Sequence, residues 1–81
     1  MHCYVYKSAR RAETYLYLAV SDGFDVLPDA LRQQLGNLTL ALDFELTPDK
    51  RLAQADAANV IAQISATGYY LQVPPPPNRL D

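Results

Sequence analysis

Two side chains near the start of the 81-residue chain have the chemistry that catalysis or metal binding requires. His2 and Cys3 carry an imidazole and a thiol. Adjacent residues of a β-strand point to opposite faces, so these two groups cannot act together as base and nucleophile. Cys3 is the one cysteine, which excludes an internal disulfide and a metal site built from several thiolates. We predict that Cys3 is a buried structural residue and that His2 has no acid–base role.

Two groups of carboxylates are the next candidates for chemistry. Asp22, Asp25 and Asp29 surround a turn, but their spacing lacks the regular ligand alternation of a calcium-binding loop. Asp43 and Glu45 share one face of a predicted strand at a separation of about 7 Å, which suits a pair of catalytic carboxylates. The polar face of an edge strand explains the same pair without catalysis. A small enzyme using surface carboxylates is therefore an alternative and not the first prediction.

The glycines provide no phosphate-binding loop, because Gly23, Gly36 and Gly68 are isolated from one another. A turn or the end of a helix accounts for each of them. We predict no catalytic residue, no metal site and no cofactor.

A basic cluster and a set of tyrosines indicate a binding surface. Lys7, Arg10 and Arg11 surround the turn between two predicted strands. Four tyrosines belong to these strands: Tyr4, Tyr6, Tyr15 and Tyr17. Aromatic rings beside guanidinium groups are a recurring way to hold single-stranded RNA on a sheet. In a chain this small, the same tyrosines are more often packed beneath a helix.

Four consecutive prolines near the end form the only low-complexity segment: Pro74, Pro75, Pro76 and Pro77. Prolines lack backbone N–H groups and favour the polyproline II conformation, so they end the preceding strand. Such a run can bind an aromatic groove of a partner, or it can pack as a strap on the domain's own tyrosines. We predict that these prolines belong to the folded unit or to a partner site.

The elements that position these residues begin with a hairpin over residues 2–7 and 13–20. If the turn is centred on Arg10 and Arg11, opposite residues have numbers that sum to 21. Tyr6 then pairs with Tyr15 and Tyr4 with Tyr17, which places all four tyrosines on one face. A one-residue slip would instead set tyrosines opposite aliphatic residues.

The remaining periodicity predicts helices over residues 28–35 and 56–67 and strands over residues 38–46 and 69–73. The predicted fold is α/β (α+β), a small sheet of about four strands with two helices, in the order β-β-α-β-α-β. Strict alternation over residues 38–46 predicts an edge strand that turns its apolar residues inward. One core should therefore contain Leu40, Leu42, Phe44, Val60, Ile61 and Ile64. A right-handed parallel crossover would join the last two strands if they share a sheet.

The block GYYLQVPPPP at residues 68–77 resembles the signature of the bacterial YcgL domain family. Matching pieces are Cys3 with Tyr6, the Thr14-Tyr15-Leu16-Tyr17 strand and the helix start from Asp56 to Val60, while Val73 stands where the family favours leucine. The resemblance implies one compact α/β domain over residues 1–81, with residues 74–81 as a proline-rich C-terminal segment. It implies no catalytic or ligand-binding residues.

Length and charge limit the function further. A domain of 81 residues buries only about 60–65% of its unfolded surface, so a large internal active site is not expected. The net charge of −2 argues against a domain that coats nucleic acid or acidic membranes, and no segment has the pattern of a membrane helix or a signal peptide. We predict a non-enzymatic, cytoplasmic binding or adaptor domain with a macromolecular partner. RNA is the alternative partner, and the oligomeric state stays open.

Overall fold

The computed structural model describes residues 1–52 and 55–74. They form an α+β fold with a four-stranded sheet and two α-helices in the predicted order. The elements are β1 (His2–Ser8), β2 (Tyr15–Leu18), α1 (Asp29–Leu35), β3 (Leu38–Glu45), α2 (Ala57–Thr67) and β4 (Tyr69–Gln72). A 3-10 helix over Phe24–Val26, which the sequence patterns did not predict, leads into α1.

The sheet has the order β3-β1-β2-β4, and each strand is antiparallel to its neighbours. The two helices contact opposite faces, and we call the α2 side the front face and the α1 side the back face. The buried residues of the front face are Cys3, Val5, Tyr17, Leu46, Ala57, Val60 and Ile64. Those of the back face are Tyr6, Leu16, Leu18 and Leu27, with Leu31 of α1 packed against them. The central hairpin is therefore buried on both sides.

The predicted register of this hairpin is wrong by one residue. Val5 pairs with Tyr17 and Tyr6 pairs with Leu16, so the numbers of opposite residues sum to 22. Each tyrosine of the central pairs now faces an aliphatic residue. Because a one-residue slip turns every side chain of a strand to the other face, the tyrosines of β1 lie on the back face and those of β2 on the front face. This arrangement divides the bulky rings between two core layers instead of placing all of them in one.

The apolar residues of β3 do not all point inward, so the prediction made from their strict alternation is wrong in part. Val5 pairs with Leu42 but Tyr6 pairs with Leu40, so Ala41 is an extra residue in β3, as in a β-bulge. The bulge places Leu42 on the front face and Leu40 on the back face. Leu40 is 48% exposed and Leu42 is 51% exposed, so neither belongs to the predicted core. Val60 and Ile64 are buried in that core, and Phe44 and Ile61 pack against it.

The last two strands lie at opposite edges of the sheet, so the predicted parallel crossover between them is also wrong. β3 pairs with β1, whereas β4 pairs with β2 and runs antiparallel to β3. The predicted edge position of β3 and the predicted helix stops are confirmed. Gly36 ends α1 and Gly68 ends α2, with positive φ angles of 69° and 95° that a glycine adopts without strain.

We expect substitutions in β3 and α2 to differ sharply in their effect on stability. Ile64→Ala should lower the free energy of unfolding by about 2–5 kcal/mol, because it leaves a cavity beneath α2. Leu40→Ala should change it by less than about 0.5 kcal/mol, since half of that side chain already contacts solvent. The decrease for Ile61→Ala should lie between these two values. Urea unfolding of the three variants measures these values, and a cost for Leu40→Ala close to that for Ile64→Ala would contradict the bulged placement of β3.

Candidate functional site

The four tyrosines do not form the single aromatic surface that the sequence predicted. Tyr4 and Tyr6 lie on the back face, while Tyr15 and Tyr17 lie on the front face. Tyr6 and Tyr17 are buried, with 2% and 7% of their surface exposed. The Tyr6 hydroxyl accepts a hydrogen bond from the Asp22 N–H at 2.7 Å, which fixes the ring in the back core. These two rings therefore offer no open face for stacking a base.

The basic turn is also divided by the fold. Lys7 pairs with Tyr15 and shares the front face with it. Arg10 donates to the Gln33 carbonyl at 2.8 Å, and its stem lies so close to Gly36 that a side chain there would collide with it. Both arginines approach the C-terminal end of α1, since Arg11 reaches the Gln34 side chain at 3.4 Å. The unpaired carbonyls of a helix C-terminus attract cations, so these arginines act as an anchor for α1.

An open depression lies on the front face, and we call it the front trough. Its volume is about 470 Å³. The main lining residues are Val5, Tyr15, Leu42, Phe44, Lys50 and Gln72. Leu42, which pairs with Val5 beside the Ala41 bulge, lines this depression, and half of its side chain stays exposed. The trough is thus a continuous apolar and aromatic surface that α2 does not cover.

The rim of the front trough is cationic. Lys50 lies above the Phe44 ring, with its ammonium nitrogen 5.2 Å from the ring centroid, and Arg51 lines the same wall. No carboxylate, imidazole or thiol belongs to the described residues that line the trough. At its far side the Tyr17 hydroxyl donates to the Gln72 side chain at 2.9 Å. The sequence patterns did not single out Lys50 and Arg51, because charges beside a turn are usually only solvated.

The paired carboxylates Asp43 and Glu45 lie on the back face, away from the front trough. The His2 Nε2 atom is 2.9 Å from Asp43 Oδ1, and its Nδ1 atom is 3.5 Å from Glu45 Oε1. The α-amino group of Met1 contacts Glu45 Oε2 at 2.7 Å, and this hydrogen bond is the main cause that lowers the pKa of the Glu45 carboxyl. These exposed groups form an ion-pair network that joins β1 to β3. The network gives His2 a structural partner that the sequence did not predict.

Cys3 is fully buried between the sheet and α2, as predicted. Burial raises the pKa of its thiol from an ordinary value of 9.0 to about 11. The reactive form of cysteine is the thiolate, which is therefore scarce at neutral pH. The Cys3 thiol does not reach the front trough and has the properties of a structural residue.

Comparison with known proteins assigns the chain to a family. The model of the YcgL domain matches residues 3–75. The chain belongs to the YcgL domain family. A YcgL domain-containing protein of Xanthomonas euvesicatoria is 54% identical over 74 residues, which cover 91% of this chain and 86% of the relative. A YcgL domain-containing protein of Thioalkalivibrio sulfidiphilus is 48% identical over 75 residues, or 93% of each chain. These names specify the domain and no reaction or ligand.

The proline run of this YcgL domain is only partly described. Pro74 is half-buried and follows Gln72, a residue of the front trough, by two positions. Pro75, Pro76 and Pro77 lie outside the described residues, so the predicted roles of the run stay predictions.

Residues 1–52 and 55–74 contain neither a group of metal-ligating side chains nor a helix suited to a membrane. In this part of the YcgL domain, no three His, Cys, Asp or Glu side chains are grouped so that they could hold a metal ion. None of its helices combines the length and the apolar character that crossing a membrane requires.

The buried thiol predicts how stability depends on alkaline pH. Because the pKa of Cys3 is higher in the folded state than in the unfolded state, the unfolded chain loses this proton first as pH rises. The stabilising contribution is complete below pH 9 and is lost as pH rises through about 11. Burial also raises the pKa of Tyr17, so the contribution of Cys3 has to be separated by comparing wild type with Cys3→Ala. The free energy of unfolding should fall less at alkaline pH in Cys3→Ala than in wild type. An equal fall in both proteins would contradict the assignment to Cys3.

Proposed function

We propose that this YcgL domain is a non-enzymatic, cytoplasmic binding domain that holds a segment of a protein partner in the front trough. The observation that carries the proposal is Leu42. This large apolar side chain lies in an aromatic depression beside the bulge and is 51% exposed. A free, buried thiol at Cys3 is in keeping with a reducing compartment.

The apolar continuity of the trough supports binding. Single exposed leucines are common on protein surfaces, but a contiguous apolar patch with a polar rim is typical of an interaction site. Leu42 is continuous with Tyr15, Phe44 and Val5 in one depression. Aromatic anchors in such a pocket provide much of the binding energy in protein interfaces, while the rim adds specificity.

The charges around the trough define the chemistry of the partner. Lys50 and Arg51 line the trough and Lys7 shares its face, although the whole chain has a net charge of −2. Within the described part of the chain, none of these three cations forms an ion pair with a carboxylate. We therefore infer a partner segment that combines acidic residues with at least one large apolar side chain.

The polar groups of the trough favour binding over catalysis. General acid–base or nucleophilic chemistry needs an acid, a base or an activated nucleophile at the reacting atoms. Among the described lining residues the polar groups are Lys50, Arg51, Gln72 and two tyrosine hydroxyls. Lysine and tyrosine can transfer protons, but these lining residues include no carboxylate, imidazole or thiol that could activate a nucleophile. The carboxylates of the enzyme alternative, Asp43 and Glu45, are on the other face and are bound to His2 and Met1. Recognition of an anion needs only the cations that are present.

RNA is the second candidate partner, and the cationic rim is the observation that favours it. Single-stranded RNA binding combines such charges with exposed aromatic rings. Tyr15 and Phe44 are the half-buried rings of the trough, whereas Tyr6 and Tyr17 are buried. A protein segment that inserts an apolar side chain suits this surface better than a run of stacked bases.

The two leucines on either side of the bulge provide a matched test of the proposal. Leu42→Asp places a carboxylate in the trough, and Leu40→Asp makes the same change at equal exposure on the back face. Affinity capture from the native cytoplasm, with and without nuclease, should lose its specific protein partners in Leu42→Asp by about tenfold or more and keep them in Leu40→Asp. Equal urea midpoints establish that both variants fold. Partners lost in both variants, or in neither, would contradict the front trough as the binding site.

The RNA alternative predicts a different dependence on salt. If RNA binds through the basic turn, replacing Lys7, Arg10 and Arg11 by alanine should reduce the slope of log affinity against log salt by about two to three. Lys50→Ala with Arg51→Ala is the comparison, because these cations line the trough while Arg10 and Arg11 anchor α1. A slope that is unchanged in the first variant would exclude the basic turn as the electrostatic contact.

A further inference from the structure

The outer edge of β4 forms the floor of a second groove, which we call the β4 groove. Its volume is about 500 Å³, and its walls are α1 on the back side and α2 on the front side. Leu31 and Gln34 are the main residues of the α1 wall, and Gln63 and Thr67 are those of the α2 wall. None of its described lining residues carries a charge, and none is shared with the front trough.

The hydrogen-bond pattern of the sheet identifies the backbone groups that face this groove. The Ser8 N–H donates to the Thr14 carbonyl at 3.1 Å, so residues 14, 16 and 18 direct their backbone groups toward β1. Residues 15 and 17 then bond to β4, where they pair with residues 72 and 70. Tyr69 and Leu71 alternate with residues 70 and 72, so their N–H and C=O groups point away from β2 and into the groove. The Thr67 hydroxyl donates to the Tyr69 carbonyl at 3.0 Å, which agrees with this direction.

The two edges of the sheet differ in how they are protected against strand addition. Natural edge strands carry bulges, charges or prolines that prevent another strand from pairing. β3 has the Ala41 bulge and the charged residues Asp43 and Glu45. The four residues of β4 have no charge and keep a regular register with β2, and Pro74 comes only after the strand. The edge that lacks both a bulge and charged residues is therefore the one that lies between the helices.

We propose that the β4 groove is a second binding site, which takes an extended, uncharged segment of a partner protein as a fifth strand. On the α1 side this segment meets the apolar groups of Leu31, Tyr69 and Leu71 and the Gln34 amide, so every second residue is mainly apolar. On the α2 side it meets Gln63, Thr67 and the Tyr70 ring, so the alternate residues carry hydroxyl or amide groups. Strand addition obtains its affinity from main-chain hydrogen bonds and its specificity from such alternating contacts.

The walls of the groove favour a single strand over a second copy of the chain. The edge of β4 lies between two helices, so the edge of a second copy would bring its own α1 and α2 against the same walls. A single extended segment has no such helices. Together with the front trough, which stands on separate residues, the β4 groove would let one domain connect two partners.

Selection with a displayed library of random short peptides tests the proposal on the full chain. The selected peptides should be uncharged and should alternate apolar with polar residues. Two synthetic versions of a selected peptide are then compared, one N-methylated at its odd-numbered residues and one at its even-numbered residues. Their affinities should differ, because an added strand turns only alternate N–H groups toward β4. We expect one of the two methylated peptides to keep its affinity and the affinity of the other to fall by about tenfold or more. Equal binding of the two methylated peptides, or a selection that yields no peptide, would overturn the proposal.

Amide hydrogen exchange and matched variants locate the bound peptide. The peptide should slow exchange at the Leu71 amide, which points outward in the free chain. Gln63→Lys should weaken binding, and Ser65→Lys, an exposed residue on the other flank of α2, should leave it unchanged. Leu42→Asp should also leave it unchanged, so failure here is distinct from failure of the front trough. A wild-type dimer that protects the Leu71 amide would overturn the proposal in favour of a second copy.

Discussion

The register of the β1–β2 hairpin is the constraint on which the rest of the structure depends. Both strands are central and are covered on both faces, so successive pairs must supply apolar volume to the two core layers in turn. Pairing Val5 with Tyr17 and Tyr6 with Leu16 gives each layer one ring and one aliphatic group. A core this thin has little freedom to collect its large rings on one side, because the opposite layer would then be underpacked.

The bulge at Ala41 determines how the leucines of β3 are divided between the two faces. The leucines of β3 alternate as if they served one face, but the extra residue divides them between the faces at the edge strand. Leu42 consequently extends the front core into an open depression, and Leu40 lies on the back face. The same bulge interrupts the regular edge of β3, whereas β4 keeps a regular register with β2.

The fold also separates charges that are mixed along the sequence. Arg10 and Arg11 approach the end of α1, and Asp43 and Glu45 bind His2 and the Met1 amino group on the back face. The cations that line the front trough come from a different segment, which follows β3. A domain with a net negative charge can therefore present a locally positive surface.

The sequence by itself determined the elements, because their signals are local. The period of α2 and the glycines that end both helices depend on neighbouring residues, and so does the order β-β-α-β-α-β, while the burial of Cys3 was predictable from its residue type. The block at residues 68–77 likewise indicated the family from a short stretch. The tertiary structure decided what depends on pairing between distant residues. It set the hairpin register, the faces of the tyrosines and the antiparallel relation of β3 and β4. Lys50, Arg51 and Leu42 meet in one trough because the register of β3 with β1 pairs Leu42 with Val5 on the front face, which residues 50 and 51 also line.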